Sequence, residues 1–585
     1  MKAKYTDEKN VQMLLYILKK NNIRRIIASP GTTNISFVAS IQNDDFFEVY
    51  SCVDERSACY MACGLAAETK EPVVLTCTGA TASRNYIPGL TEAYYRKLPV
   101  LAVTAAQHFS RMGAYSPQCL DRSNTLKDIV NLSVQVPSVH SADDEIGCNI
   151  LLNQAVLELT RNGGGPVHIN IETTSEGLKN FNTNELPTTR VIERIEYTSE
   201  LPTIPQKSKI GIFVGAHLAW DADLTKSVDE FCEKYNACVI CDHTSNYLGK
   251  YKILGNLLFD QDNPNTPTGL FDLLIHLGSV SGAYMDIHPK TVWRVNPDGE
   301  FRDVFKKVTK VFQLDEADFF KKYNSLTKQK TNLTVYASLK AELVKLQEQA
   351  SNITFPLSNI FVAQNTIQKL PNHSVVHFAI LNSLRSWNFF DTPNDISFYC
   401  NTGGFGIDGP MSTLIGASLA SPNKLHFGVI GDLAFFYDLN SLGNRNIKNN
   451  LRIILINNGR GTEFHNYTHP ASALGDSFTS QYISAGEHFG NKSSRLVKNY
   501  TEDLGFEYLS ASNKTEVINQ IDYFVASKEY DKPIIFEIFT NSQDESDALK
   551  AIRNLSFSLN GYIVKNAKKV LGQNTKNKIK KILGR

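Results

Sequence analysis

Three short stretches carry side chains whose types and spacing suit chemistry. In "SCVDERSACYMACGLAAE" (51–68), Glu55 opens a helix of small residues, Ala58, Ala62, Gly64, Ala66 and Ala67. Small residues let other backbones approach, so this helix should be buried, and a carboxylate at its mouth is costly unless paired or useful. In "NTGGFGIDGPMSTLIGASLA" (401–420), Gly404-x-Gly406-x-x-Gly409 follows a strand pattern and opens a second small-residue helix. With Asp432 some 20 residues on, this is the spacing of a dinucleotide fingerprint. Alone, the glycines say only that a helix N-terminus offers N–H groups to an anion, a phosphate foremost. In the third stretch, "GDLAFFYDLNSL" reads as strand, turn and amphipathic helix, and the next strand pattern ends in "INNGRG". Neighbouring parallel strands end on one sheet edge, which sets the Asp432 carboxylate and the Asn458 amide oxygen side by side, next to the glycine loop. A carboxylate, an amide oxygen and a loop carbonyl are hard ligands; with diphosphate oxygens and water they complete the octahedron magnesium demands. Asp432, Asn458 and Arg460 are the metal candidates. The plainer alternatives are that Asp432 caps a 433–443 helix, that Asn457-Asn458 form a turn, and that Glu55 caps a 57–67 helix or pairs with Arg56.

Sheets must position these groups, and the chain supplies strand patterns throughout. "IRRIIASPG", "EPVVLTCTG", "LPVLAVTAA" and "PVHINIE" alternate with helical patterns in the first 170 residues. Strands so continuously apolar belong to parallel sheets covered on both faces. Residues 173–209, rich in Thr, Asn and Pro, read as a linker. A second α/β unit follows ("KIGIFVGAH", "NACVICDHT", "FDLLIHLGS"), then a helix, "TVYASLKAELVKLQEQA", and a third unit ("SVVHFAIL", "KLHFGVIGD", "LRIILINNG", "KPIIFEIFT"). The expected fold is α/β: three consecutive doubly wound parallel-sheet domains at 1–180, 181–345 and 346–548, then a basic tail at 549–585. The first and third units share a rhythm.

The bulk numbers agree with a soluble globular protein. There are 585 residues, 42% hydrophobic, with net charge +1, and no apolar run of the roughly 20 residues a membrane span needs. The N-terminus reads as an amphipathic helix without a secretory core. Ten cysteines scattered in apolar segments suggest reduced thiols and a cytoplasmic location. Cys238-x-x-Cys241 with His243 hints at a metal, but "NACVICDH" reads as a buried strand, where alternate residues face opposite ways. From Leu549 to Arg585 there are ten Lys/Arg and no acid, spaced to permit two short amphipathic helices. Such a tail suits an anionic membrane surface or a partner, and equally a self-docking helix. Without aromatic interleaving it gives no case for nucleic acid.

"GDL…NN" at this spacing resembles the signature of thiamine diphosphate (ThDP) enzymes, and "VDER" resembles the segment bearing their cofactor-activating glutamate. Within that superfamily the chain resembles SEPHCHK synthase of menaquinone biosynthesis, and more distantly acetolactate-synthase-like enzymes. "SPGTTNISF", "TCTGATASRNYIPGLTEAYY", "FAILNSLRSW" and "YCNTGGFGIDGPMSTLIG" carry the likeness over nearly all of 20–545. The resemblance implies ThDP and Mg2+, with the diphosphate on the third domain and the pyrimidine reaching the first domain of a second subunit. There Glu55 would exchange a proton with the aminopyrimidine. Gly404, Gly406, Asp408, Gly431, Leu433, Ala434, Asn458, Thr462 and Ser383 are the further cofactor contacts it implies, with Ile407 the apolar wedge that bends the coenzyme. A homodimer is then the minimum, and a tetramer is compatible.

The substrate motifs depart from that family. Its Ser-Arg after "SPG" is Thr32-Thr33, its Asp-Arg-Pro after "VTA" is Ala106-Gln107-His108, and an expected arginine after "NSL" is Trp387, with Arg385 displaced by two. The arginine of "NRG" is Thr402 and a lysine of the middle domain is Ala283. Each lost cation removes a carboxylate partner worth about 1.5–3 kcal/mol, which argues against isochorismate as acceptor. Gln118, Arg385, His465 and His469 are the remaining candidates for substrate contact or proton transfer, beside Glu55. The expected activity is decarboxylation of a small 2-oxo acid and transfer of the acyl-anion equivalent to an acceptor. An aldehyde-releasing decarboxylase is the near alternative; an NAD or FAD Rossmann oxidoreductase and a non-catalytic scaffold lie outside the class. No FAD is expected, since "VGAHLAW" lacks a glycine-rich turn.

Overall fold

The computed structural model describes residues 5–123, 125–174, 179–393, 395–488 and 492–555. They gather into two compact units, one from residues up to Leu201 with Trp293–Leu314, the other from Pro202–Val292 with residues from Asp315 on. Three parallel sheets form the framework, as the apolar strand runs require.

In the first unit, β1 (Arg25–Ala28), β2 (Glu48–Ser51), β3 (Val73–Cys77), β4 (Val100–Ala106), β5 (Leu132–Val136) and β6 (Val167–Glu172) form a sheet of order β2-β1-β3-β4-β6-β5. Its central strands are buried end to end, so β-branched and small apolar residues fill them without alternation. The segment expected as a linker contributes a strand, β7 (Glu193–Ile195). The middle domain comprises β8 (Ile210–Val214), β9 (Ala237–Cys241), β10 (Lys252–Leu254), β11 (Leu273–Leu277), β12 (Thr291–Asn296) and β13 (Val308–Gln313). The second unit's share runs β10-β9-β8-β11, and in the first unit β13 pairs with β7. Cys238 and Cys241 are buried in β9, and among the described residues no His, Cys, Asp or Glu cluster could hold a metal.

The third domain is β14 (Val375–Phe378), β15 (Ser397–Cys400), β16 (His426–Gly431), β17 (Leu451–Asn457), β18 (Glu507–Ala511) and β19 (Ile534–Phe539), in order β15-β14-β16-β17-β19-β18. Numbered from its own first strand, that is the order of the first sheet, so the shared rhythm is a shared topology. In both, the order reverses between the domain's first and third strands, and doubly wound sheets take their ligands in the crevice beyond the carboxyl ends at such a point.

One expected helix changed form. The 433–443 segment is a single α-helical turn and a half, Asp432–Tyr437, followed by a 3-10 segment, Leu439–Gly443. The basic tail begins inside the helix Ser542–Ile552, and the two amphipathic helices expected further on lie outside the described residues. Among the described residues no helix is long and apolar enough to cross a membrane.

Candidate active site

The third domain's crevice forms where β16 and β17 end together. Gly431 is in register with Ile456, so Asp432 and Asn458 leave adjacent strands on one edge. The Asp432 carboxylate accepts from the backbone N–H groups of Leu433 and Gly459 and is only 4% exposed. Burial pushes its pKa up to about 7, with Glu537 nearby adding to the rise. The neighbouring Asn457 points the other way and donates to Glu537 Oε1 at 2.7 Å. Asn458 Oδ1 is buried with no hydrogen-bond partner among the described residues. A buried amide oxygen without a donor is costly, and one beside a desolvated carboxylate makes a pair of hard ligands waiting for a cation.

The glycine loop lies before the helix Pro410–Ala420. A Cβ on Gly403, Gly404 or Gly431 would meet nothing within 4 Å, whereas on Gly406 it would strike Asp408 Oδ1 at 2.3 Å. The glycines therefore line open space, with the Asp408 side chain folded back along the loop. Ile407 is half-buried and packs on the domain core with Leu439. Ala434 and Thr462 are buried, Leu433 is half-buried, and Ser383 is buried in the short helix Asn382–Trp387. One expectation changes here. The helix N-terminus is partly taken, because Asp438 accepts from Ser412 N at 2.6 Å and from Ser412 Oγ at 2.5 Å.

A cavity of about 490 Å3 adjoins this site, lined by Asn458, Arg460, His465, Asp476 and Ser542 among others. Arg460 turns its guanidinium to Asp476 and Ser480 (2.8 and 2.7 Å), which leaves the loop backbone as its possible ligand to a metal. His465 is held by Ser484 Oγ at 2.9 Å and Asp476 at 3.1 Å, and burial lowers its pKa. His469 accepts from Ala471 N at 3.1 Å. Arg385, expected to meet a substrate carboxylate, is buried in a bidentate pair with Glu463 (3.0 and 2.8 Å) and stacks over Tyr284. A substrate carboxylate would have to compete with that pair. The Arg385–Glu463 pairing crosses 78 residues of chain, and no spacing in the sequence announces it. Trp387, in place of the expected arginine, is core and donates to Asn359 Oδ1.

In the first unit Asp54, not Glu55, caps the helix Glu55–Thr69 through Ser57 N at 3.0 Å, and Asp54 also pairs with Arg56. Both plain duties considered for Glu55 thus fall to its neighbour. Glu55 accepts one bond, from Asn85 Nδ2 at 3.3 Å, and is half-exposed in the single chain rather than buried. The helix buries Ala58, Cys59, Ala62, Cys63 and Ala66, leaving Tyr60 48% and Met61 43% exposed beside Val53 at 76%. Gln118 is exposed on a loop with φ +61°. Thr33 is buried, its Oγ1 2.6 Å from Thr78 Oγ1 and donating to the Ala105 carbonyl at 3.0 Å.

Comparison with known proteins gives the family. The family described as "Thiamine pyrophosphate enzyme, N-terminal TPP binding domain" matches residues 9–125. The chain is similar to 2-succinyl-5-enolpyruvyl-6-hydroxy-3-cyclohexene-1-carboxylate synthase of Phocaeicola vulgatus, 30% identical over 93% of this chain and 98% of that one. It is 31% identical to the synthase of the same name from Bacteroides fragilis over the same shares, and 26% identical to that of Flavobacterium psychrophilum over 90% and 95%. The orphaned Asn458 oxygen, the desolvated Asp432 and the open glycine loop fit a diphosphate-bearing coenzyme and its cation. With three parallel sheets and this likeness along almost its whole length, the chain belongs to the thiamine diphosphate-dependent enzymes, in the family of the 2-succinyl-5-enolpyruvyl-6-hydroxy-3-cyclohexene-1-carboxylate synthases.

Proposed function

We propose that the protein decarboxylates a 2-oxo acid with ThDP and Mg2+ and transfers the acyl-anion equivalent to an acceptor other than isochorismate, as a homodimer with its active sites shared between subunits. The observation that carries the cofactor assignment is the unpartnered Asn458 Oδ1 beside the buried Asp432 carboxylate. Asp432, Asn458 and the Arg460 backbone would hold the ion. Gly404, Gly406, Asp408, Gly431, Ser383 and Thr462 would surround the diphosphate, and Ile407, Leu433 and Ala434 would flank the rings. ThDP supplies the electron sink for the carbon that loses carbon dioxide. Glu55, relieved of capping by Asp54, is free to hold and return a proton at a pyrimidine nitrogen. Tyr60 and Met61 on its helix offer an apolar face for the second subunit, whose cover would exclude water from that exchange. His465 is placed by Ser484 and Asp476 to steady an alkoxide or give it a proton, and Gln118 to orient the bound fragment.

The acceptor assignment rests on what replaces the family's cations. Thr33 is tied to Thr78 and Ala105, Gln107 accepts from Arg111, and Trp387 and Thr402 are buried. Each of these positions lacks the cation that the family's pattern offers a carboxylate. The test is carbon dioxide release from a panel of 2-oxo acids by the purified protein with ThDP and Mg2+, with and without aldehyde acceptors and isochorismate. Release dependent on both additives, with a ligated product from a non-isochorismate acceptor, supports the proposal. Turnover with isochorismate alone refutes the acceptor assignment, aldehyde as sole product refutes ligation, and no ThDP binding refutes it all.

A further inference from the structure

Against the turn after β3 and the face of β4 and β6 the first domain holds a buried cation whose N–H groups are largely unanswered among the described residues. Arg122 is 5% exposed. Of its N–H groups only those on Nη2 are used, toward the Ala105 carbonyl at 3.4 Å, while Nε and Nη1 have no partner among the described residues. Its charged neighbour is another cation, Arg84, with the thiols of Cys77 and Cys119 close by and no carboxylate paired to it. Arg84 itself donates to the Asp121 carbonyl at 2.9 Å and is exposed. A guanidinium does not shed its proton in a protein, so its charge persists when buried and needs a counterpart. Arg84 has the Asp121 carboxylate within electrostatic reach, but Arg122 has no acid paired to it among the described residues, so the buried guanidinium is an anion site in charge and in hydrogen-bonding capacity.

The surroundings give the site a shape. A cavity of about 50 Å3 is lined by Arg122, Arg84, Ser83, Thr104 and His168, with apolar walls from Ile87 and Leu126. His168 is bonded on both ring nitrogens, to Thr104 Oγ1 at 2.7 Å and Ser133 Oγ at 2.9 Å. Burial and the arginines push its pKa down to about 3, so it is neutral and adds no rival charge. A Cβ on Gly79 would lie 3.3 Å from the Gln118 carbonyl oxygen and 3.6 Å from Arg122 Nη2, which puts the guanidinium against the turn after β3. The same Ala105 carbonyl that Arg122 touches also accepts from Thr33, the residue standing where the resembled family carries an arginine.

We propose that Arg122, assisted by Arg84, is the carboxylate-binding subsite of this enzyme, replacing from the 107–123 loop the cation that Thr33 no longer supplies. The ligand class is a small carboxylate, and its identity as the substrate's own carboxylate rests on the proposed function. Arg122 is on this assignment a specificity determinant, with unused N–H donors on Nε and Nη1 for a carboxylate's oxygens.

The test is thermal unfolding of the full-length protein without cofactor, titrated with pyruvate, 2-oxoglutarate, chloride or inorganic phosphate. A 2-oxo acid raises Tm of the wild type at concentrations where chloride and phosphate do not. R122M loses that shift and, with no ligand, melts no lower than wild type, because a purely structural arginine would be missed and an unpaired buried charge is not. Should R122M fail to fold, R122K carries the test, keeping charge without the guanidinium's extra donors and needing roughly 10–100-fold more carboxylate for the same shift. An equal shift in the variant, no shift in wild type, or an equal response to chloride overturns the proposal. ThDP binding, followed separately, reports on the function. Carboxylate binding without ThDP binding leaves the subsite standing and removes the functional reading. ThDP-dependent turnover with an unchanged KM in R122M does the reverse.

Discussion

The crevices of the first and third domains share a strand order but differ in how finished they are. In the third, the acid is buried, fixed by two backbone N–H groups, and set beside an amide oxygen with nothing to bind. In the first, Glu55 has one long hydrogen bond and stands half-exposed at the end of a helix whose outer face shows Tyr60 and Met61. One crevice is closed by its own chain; the other is open in the single chain. The difference teaches that identical topology fixes where a ligand goes and leaves open whether the site is complete, because completeness depends on desolvation and not on strand order.

That contrast can be broken most severely at the helix face. Tyr60→Asp with Met61→Asp places charges on the apolar surface; the expected result is a monomer by light scattering with turnover lost altogether, while Mg2+ binding at the third domain survives. Retained dimer and retained turnover would show that the first crevice needs no cover. Glu55→Gln is expected to lower kcat by about 10²–10⁴, the usual worth of a positioned acid-base group, with ThDP affinity kept; a small effect would make Glu55 a bystander. Asn458→Ala tests the finished crevice and should weaken Mg2+ binding by about 10–100-fold, as changes at the margin of a metal site do, without lowering apo stability, since it deletes an unsatisfied buried oxygen.

The mildest expected effect is on pH. Glu545, fully buried against Asn359 N and Thr540, has its pKa pushed up to about 7 by desolvation. The folded state therefore holds a proton that the unfolded chain has released. This contribution to stability is complete below the ordinary glutamate range, about 4.5, and is lost as pH rises toward 7, at up to about 1.4 kcal/mol per unit. Urea unfolding of the metal-free protein between pH 4.5 and 7 should show that decline, steepened by Asp432, whose pKa burial also pushes up to about 7, and Glu545→Gln should lessen the slope. An unchanged slope in the variant would place the titration elsewhere.

Much of the finished crevice was legible because it is local. Strand ends, a glycine loop and two polar residues at strand termini obey rules of spacing, and Asp432 and Asn458 came together as adjacent parallel strands require. What escaped is long-range. Glu463 neutralises Arg385 across the fold, Ser484 and Asp476 occupy His465, and Arg122 is isolated by what does not surround it. The cap of Glu55's helix is Asp54, which has the extended backbone that a cap needs, whereas Glu55 is already helical. The strand at Glu193–Ile195 hid in a polar segment because an edge strand needs little apolar content.

Asp438, lodged over Ser412, has a consequence for handling the protein. By plugging the positive pole of the 410–420 helix with a fixed negative charge, it weakens the dipolar attraction that such an end would otherwise exert on a phosphate. On the proposed function, retention of coenzyme then leans on the divalent ion, and a chelator in the purification buffer should strip both together, leaving a folded and inert preparation that regains activity only when both are restored.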